Sequence, residues 1–165
     1  MKVTTKLPIV ALLALGMTGS IVHANEPAMV ESAEQAEAAL ESRSEFMKGM
    51  GSAMKAFTNY LKRGDGEPLE LGAMAAEIAE NAPGIPDLFP KDTGMAQFED
   101  SEAKAVIWET WDDFVAAANG LVEPAMAVEA AFASGDKGDV GASVKALGGN
   151  GCRTCHETFR QKKDN

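Results

Sequence analysis

Between residues 31 and 62, Ala36, Leu40, Arg43, Met47, Met50, Met54, Phe57 and Leu61 recur at alternating intervals of four and three. Such a series lines one face of a long amphipathic helix, and Glu34, Glu37, Glu41, Glu45, Lys48 and Lys55 fall on the other faces. Arg63-Gly64-Asp65-Gly66 stops it, with glycine where helices commonly end. A second helix is expected over 67–81, where Pro68 suits a first turn and Leu71, Met74 and Ile78 share a face. Residues 82–94 contain Pro83, Pro86, Pro90 and two glycines and read as a long ordered connection.

A third helix is expected from about Ser101 to Phe132, with an inner stripe of Ile107, Trp111, Phe114, Ala118 and Leu121 or Val122. Pro124 lies inside that pattern and is expected to kink or split it near Gly120. Ser134-Gly135-Asp136-Lys137-Gly138 breaks the chain again. A last helix is expected from about Asp139 to Lys163, carrying Val140, Val144, Leu147, Cys155 and Phe159 and weakened by Gly148, Gly149 and Gly151. No stretch sustains an alternation of β-branched and polar residues. Two short connections and one long one suit an all-α fold, an antiparallel four-helix bundle.

Charge and the N-terminus narrow the setting. The 165 residues carry 15 Lys and Arg against 25 Asp and Glu, a formal charge of −10. That balance argues against a general nucleic-acid binder or a protein docked on an anionic membrane. Lys2 and Lys6 precede an apolar run from Leu7 to Met17, and Val22-His23-Ala24 resembles a signal-peptidase site. Residues 1–24 are therefore expected to be a signal peptide, leaving 25–165 as one exported domain with no membrane span. The run is short for a bilayer of ~30 Å. Cleavage removes His23, so the remaining chain keeps one histidine, His156, and two cysteines, Cys152 and Cys155.

Those three residues stand within Cys152-Arg153-Thr154-Cys155-His156, the spacing of covalent c-type haem attachment. Two thiols reach the vinyl groups along one porphyrin edge, and the following imidazole turns under the ring to the iron. A structural zinc site wants four ligands, and only three soft ones are present. A thioredoxin-type dithiol belongs at the end of a strand, and none is expected. A plain disulfide gives no reason for the adjacent histidine.

The chain resembles the cytochrome c′ family, which includes the low-spin cytochromes c-556. The resemblance spans about residues 35–163. It rests on Arg43-Ser44-Glu45-Phe46-Met47-Lys48, on Leu88-Phe89-Pro90-Lys91-Asp92-Thr93-Gly94, and on Ile107-Trp108 with Phe114 beyond. It rests also on the C-terminal Cys152–His156 motif followed by Phe159-Arg160. Asp92 stands where the family often has glycine. The resemblance implies a bundle with one covalently bound haem c, and it places Met47, four residues after Arg43, at the iron's distal face.

A thioether is a soft neutral ligand, and His/Met ligation belongs to electron carriers. Met47 is thus the expected sixth ligand opposite His156, with Met50 or Met54 as substitutes. The other possibility is that these methionines merely fill the core, since Met packs adaptably. Arg43 on the inward stripe needs an anion, either a haem propionate, as the resemblance also implies, or a glutamate of a neighbouring helix. Arg160, one turn after His156, is read either as a modulator of the imidazole or exposed haem edge, or as a partner of Lys162 and Lys163 at the negative end of the last helix. The functional expectation is a periplasmic, bacterial one-electron carrier, not an enzyme, that meets periplasmic or membrane-bound redox partners as a monomer or homodimer. The alternative is a five-coordinate haem protein that binds nitric oxide or carbon monoxide.

Overall fold

The computed structural model describes residues 26–162. The expected signal peptide, residues 1–24, lies outside that range, as does Lys163.

Helix α1 (Ala33–Arg63) is about 46 Å long at 1.5 Å per residue. Ser32 caps it: its Oγ accepts the Gln35 N–H at 3.2 Å, and the Gln35 side chain in turn accepts the Glu31 N–H at 2.8 Å. Gly64, in the left-handed region at φ 77°, ends it. Helix α2 (Pro68–Asn81) opens on its proline and buries Leu71, Ala75, Ile78 and Ala79. The proline-rich connection begins as a 3₁₀ segment, Ala82–Leu88, and buries Ile85, Pro86, Phe89, Pro90 and Thr93.

The third limb departs from expectation at its start. Residues 101–105 are not helical, because the backbone of this stretch is engaged elsewhere: Ala103 pairs with Arg160 in an antiparallel bridge, and its carbonyl accepts the Met95 N–H. The limb then comes in three pieces, α3 (Val106–Glu109), α4 (Trp111–Asn119) and α5 (Val122–Ser134). The break at Gly120–Leu121 falls where Pro124, lacking an N–H, cannot bond back to the Gly120 carbonyl.

The fourth limb is α6 (Lys137–Ala146), a π turn over Leu147–Arg153, and α7 (Thr154–Phe159). Asp136 caps α6 by accepting from Gly138 N–H and Asp139 N–H at 2.7 and 3.0 Å. This limb ends earlier than expected. Arg160 is extended and bridged to Ala103, so neither it nor Lys162 belongs to the last helix.

The limbs close into a ring: α1 packs on α2 and α6, α2 on α5, and α5 on α6. The core divides into two aromatic groups. Phe57 and Tyr60 of α1 meet Phe132 of α5 at 5.5 and 5.3 Å. Phe114 gathers Phe89, Trp111 and Phe159 at 4.8, 5.6 and 5.2 Å. Such edge and tilted contacts add about 0.5–1.5 kcal/mol each beyond area burial. No helix among the described residues is long and apolar enough to cross a membrane.

Candidate functional site

The π turn carries Cys152, and α7 carries Cys155 and His156. Both thiols are free, half-buried and packed against the core. Burial pushes the Cys152 thiol up, partly offset by a backbone hydrogen bond. Burial, and then the charge of Cys152, takes Cys155 up to about 11. A wall that disfavours thiolates suits sulfur held as a neutral thioether. His156 is half-buried too. Its pKa is lowered first by burial and then by Arg160, with Glu102 acting in the opposite sense. The neutral imidazole, the form that ligates a metal, is thereby favoured.

The donors do not gather round a bare ion. Among the described residues no group of three His, Cys, Asp or Glu side chains is placed to hold one. Two thiols and an imidazole presented separately are of no use to a zinc site, which closes its ligands on one point. They suit a wide planar macrocycle anchored at its edge and ligated at its centre.

Contacts between α1 and the fourth limb set the height of the methionines. A methyl group at Gly141 would lie 3.8 Å from Leu61, and one at Gly148 would lie 3.3 Å from the Met54 Cε. Descending α1 by seven residues thus matches ascending the fourth limb by seven, so the two run antiparallel. Met47, two turns before Met54 on the same face of α1, therefore lies in the direction of the C-terminal part of the fourth limb. Met50 lies on another side, lining a cleft of about 220 Å³ with Phe46 of α1 and Met74 and Ile78 of α2. The methionine stripe therefore divides, with Met54 facing the fourth limb and Met50 turned to α2.

Arg43, one turn beyond Met47, is 8% exposed. Its Nη2 donates to the Thr93 carbonyl at 3.2 Å and to Ser101 Oγ at 3.0 Å, and its guanidinium lies 4.6 Å from the Phe89 ring centre. Desolvation lowers its pKa to about 10. Nη1 is buried with no hydrogen-bond partner. An orphaned cationic N–H beside the candidate distal wall is what an anionic ligand group would satisfy, and a haem propionate fits it. The alternative of a glutamate on a neighbouring helix does not describe the hydrogen bonds Arg43 makes. Arg160 turns its Nε to Glu102 Oε2 at 2.5 Å, rather than lying along the last helix.

Glu102 and Ser101 fall in no motif, and the loop motif that contains Thr93 does not reveal its partner, because each of the three meets that partner across 50 to 58 residues. A larger cleft of about 710 Å³, bordered by Trp108, Trp111, Asp112 and Asp113, includes none of the site residues.

Comparison with known proteins follows the same lines. Residues 38–160 match the family described as Cytochrome C′. The chain is 40% identical over 129 residues to a cytochrome c′ of Pararhodospirillum photometricum, covering 76% of this chain and 98% of that protein. It is 37% identical over 129 residues to a cytochrome c-556 of Agrobacterium fabrum, covering 75% and 82%. A solved cytochrome c′ from Rhodobacter Spheriodes superposes with a TM-score of 0.68 at 25% identity, covering 78% of this chain and 98% of that one.

Proposed function

The chain belongs to the cytochrome c′ family, a monohaem c-type cytochrome family, and from that premise we propose that it carries single electrons through a low-spin haem with His/Met ligation. The haem, when bound, supplies one chemistry: an iron that gains and loses one electron at a potential set by its axial ligands. Cys152 and Cys155 hold it by thioether bonds, His156 is the proximal ligand, and Met47 the distal one. Arg43 Nη1 takes a propionate. The removal of residues 1–24 and residence in the periplasm are part of the same proposal.

One observation supports the spin-state reading: Met54, seven residues from Met47 on the same face of α1, meets the fourth limb at Gly148, four residues before the attachment motif. Two protein ligands retained in both oxidation states keep structural change small, which favours fast electron exchange. No side chain is assigned a catalytic role. A second reading is supported by the half-buried packing of Met47 in the apolar cluster, as a core filler would pack. There the distal face stays open and takes nitric oxide or carbon monoxide.

The visible spectrum separates the two. Sharp ferrous bands unmoved by carbon monoxide, converted to a high-spin spectrum by Met47→Ala, are expected. A high-spin wild-type spectrum that shifts with carbon monoxide would overturn the carrier reading and favour gas binding.

A further inference from the structure

Glu102 is fixed more firmly than a surface acid needs to be. Its carbonyl accepts the Gln161 N–H at 2.8 Å, and the Lys104 N–H donates to the Phe159 carbonyl at 3.0 Å. Ala103 forms the antiparallel bridge to Arg160. Lys104 Nζ donates to the carbonyls of Glu157 and Thr158 at 3.0 and 3.1 Å. Ser101, immediately before, receives Arg43. Residues 102–104 and 159–161 thus form a short backbone clamp at the end of α7, and Glu102 and Arg160 both hang from it.

Within the clamp the two side chains make a 2.5 Å ion pair, with 30% and 47% of their side-chain surfaces exposed. Arg160 N–H also donates to the His156 carbonyl at 3.1 Å, so the pair hangs from the residue one turn after His156. A half-exposed ion pair contributes only about 0–1 kcal/mol to stability. Stability alone gives a weak reason for so rigid a mount.

The geometry points to Glu102 as a positioning residue: it holds the Arg160 guanidinium in a neutral pair beside His156, so that neither charge acts unopposed on the proximal ligand. This rests on His156 being that ligand. Glu102→Gln leaves a bare cation there, which favours the reduced form. Arg160→Gln leaves a bare anion, which favours the oxidised form. Removing both restores neutrality.

The test uses haem-loaded protein equilibrated with a redox mediator at fixed potential, alongside hydrogen exchange of the Gln161 and Lys104 amides. Glu102→Gln is expected to raise the ferrous-to-ferric ratio about five- to tenfold, the scale of one unit charge acting over one to two nanometres at an effective dielectric constant near 20. Arg160→Gln is expected to lower it comparably. Glu102→Asp and the double variant are expected to stay within about twofold of the wild type, and amide exchange to stay unchanged throughout. Ratios within twofold for both single variants would overturn the inference. So would a shift seen only where the clamp amides exchange tenfold faster, since that effect belongs to a loosened backbone. Failure of the site assignment shows differently, as a His156→Ala protein that keeps the wild-type spectrum, and it removes this inference with it.

Discussion

Two glycines of the π turn, two residues apart, have opposite expected responses to the same added methyl group. At Gly151, next to Cys152, a Cβ would stand 2.7 Å from Leu121 Cδ2 and 3.5 Å from Leu147 Cδ1. Leu121 is 3% exposed and Leu147 fully buried, so neither can swing into solvent to make room. Overpacking of this kind costs about 1–3 kcal/mol. Alanine recovers about 0.5–1 kcal/mol of backbone entropy relative to glycine. The net expectation for Gly151→Ala is a loss of about 1–2 kcal/mol and a fall in Tm of about 3–8 °C. At Gly149 nothing lies within 4 Å of the same atom and φ is not positive. Gly149→Ala is therefore expected to raise Tm by about 2–4 °C through the entropy term alone. Thermal unfolding of the haem-loaded proteins, followed by far-ultraviolet circular dichroism, measures both. If Gly151→Ala proved no less stable than Gly149→Ala, the tight contact of the π turn with Leu121, beside Cys152, would be refuted.

Three further expectations follow from particular side chains. Arg43→Met in the haem-loaded protein is expected to cost about 2–3 kcal/mol by guanidinium unfolding, because it strips a buried anion of its cation. A loss below about 0.5 kcal/mol would mean that Nη1 meets no such anion. Asp92 holds a left-handed φ of 65°, the only non-glycine residue to do so among those described. Asp92→Gly is expected to stabilise by up to about 1 kcal/mol, read as a rise in Tm, and Asp92→Val to destabilise. In chain made without haem, Cys155 is expected to react with iodoacetamide about tenfold more slowly at pH 8 than a thiol of pKa 9.0, because its pKa, near 11, cuts the thiolate fraction further than the greater nucleophilicity of that thiolate restores the rate. Because folding raises that pKa, the associated stability is full below pH 9 and declines between about pH 9 and 11. Rapid alkylation at pH 8 would contradict the burial of the thiol.

What the amino-acid order settled by itself is whatever depends on near neighbours. Four limbs, the glycine stop after Arg63, the break near Gly120 and the inward register of Arg43 and Met47 follow from helical periodicity, which is a local property. The attachment motif is contiguous from Cys152 to His156, so no folding is needed to see it. Tertiary structure alone decided where the third limb begins and the fourth ends. Hydrogen bonds between residues 102–104 and 159–161 outcompete helix at both places, and periodicity carries no trace of a partner more than fifty residues away. The same distance hid Thr93 and Ser101 beneath Arg43 and Glu102 beside Arg160. It also divided the methionines, since a stripe on one helix does not say which neighbour each side chain meets. Only the packing of α1 between α2 and α6 turns Met50 toward α2 and sets Met54 against the limb that carries His156.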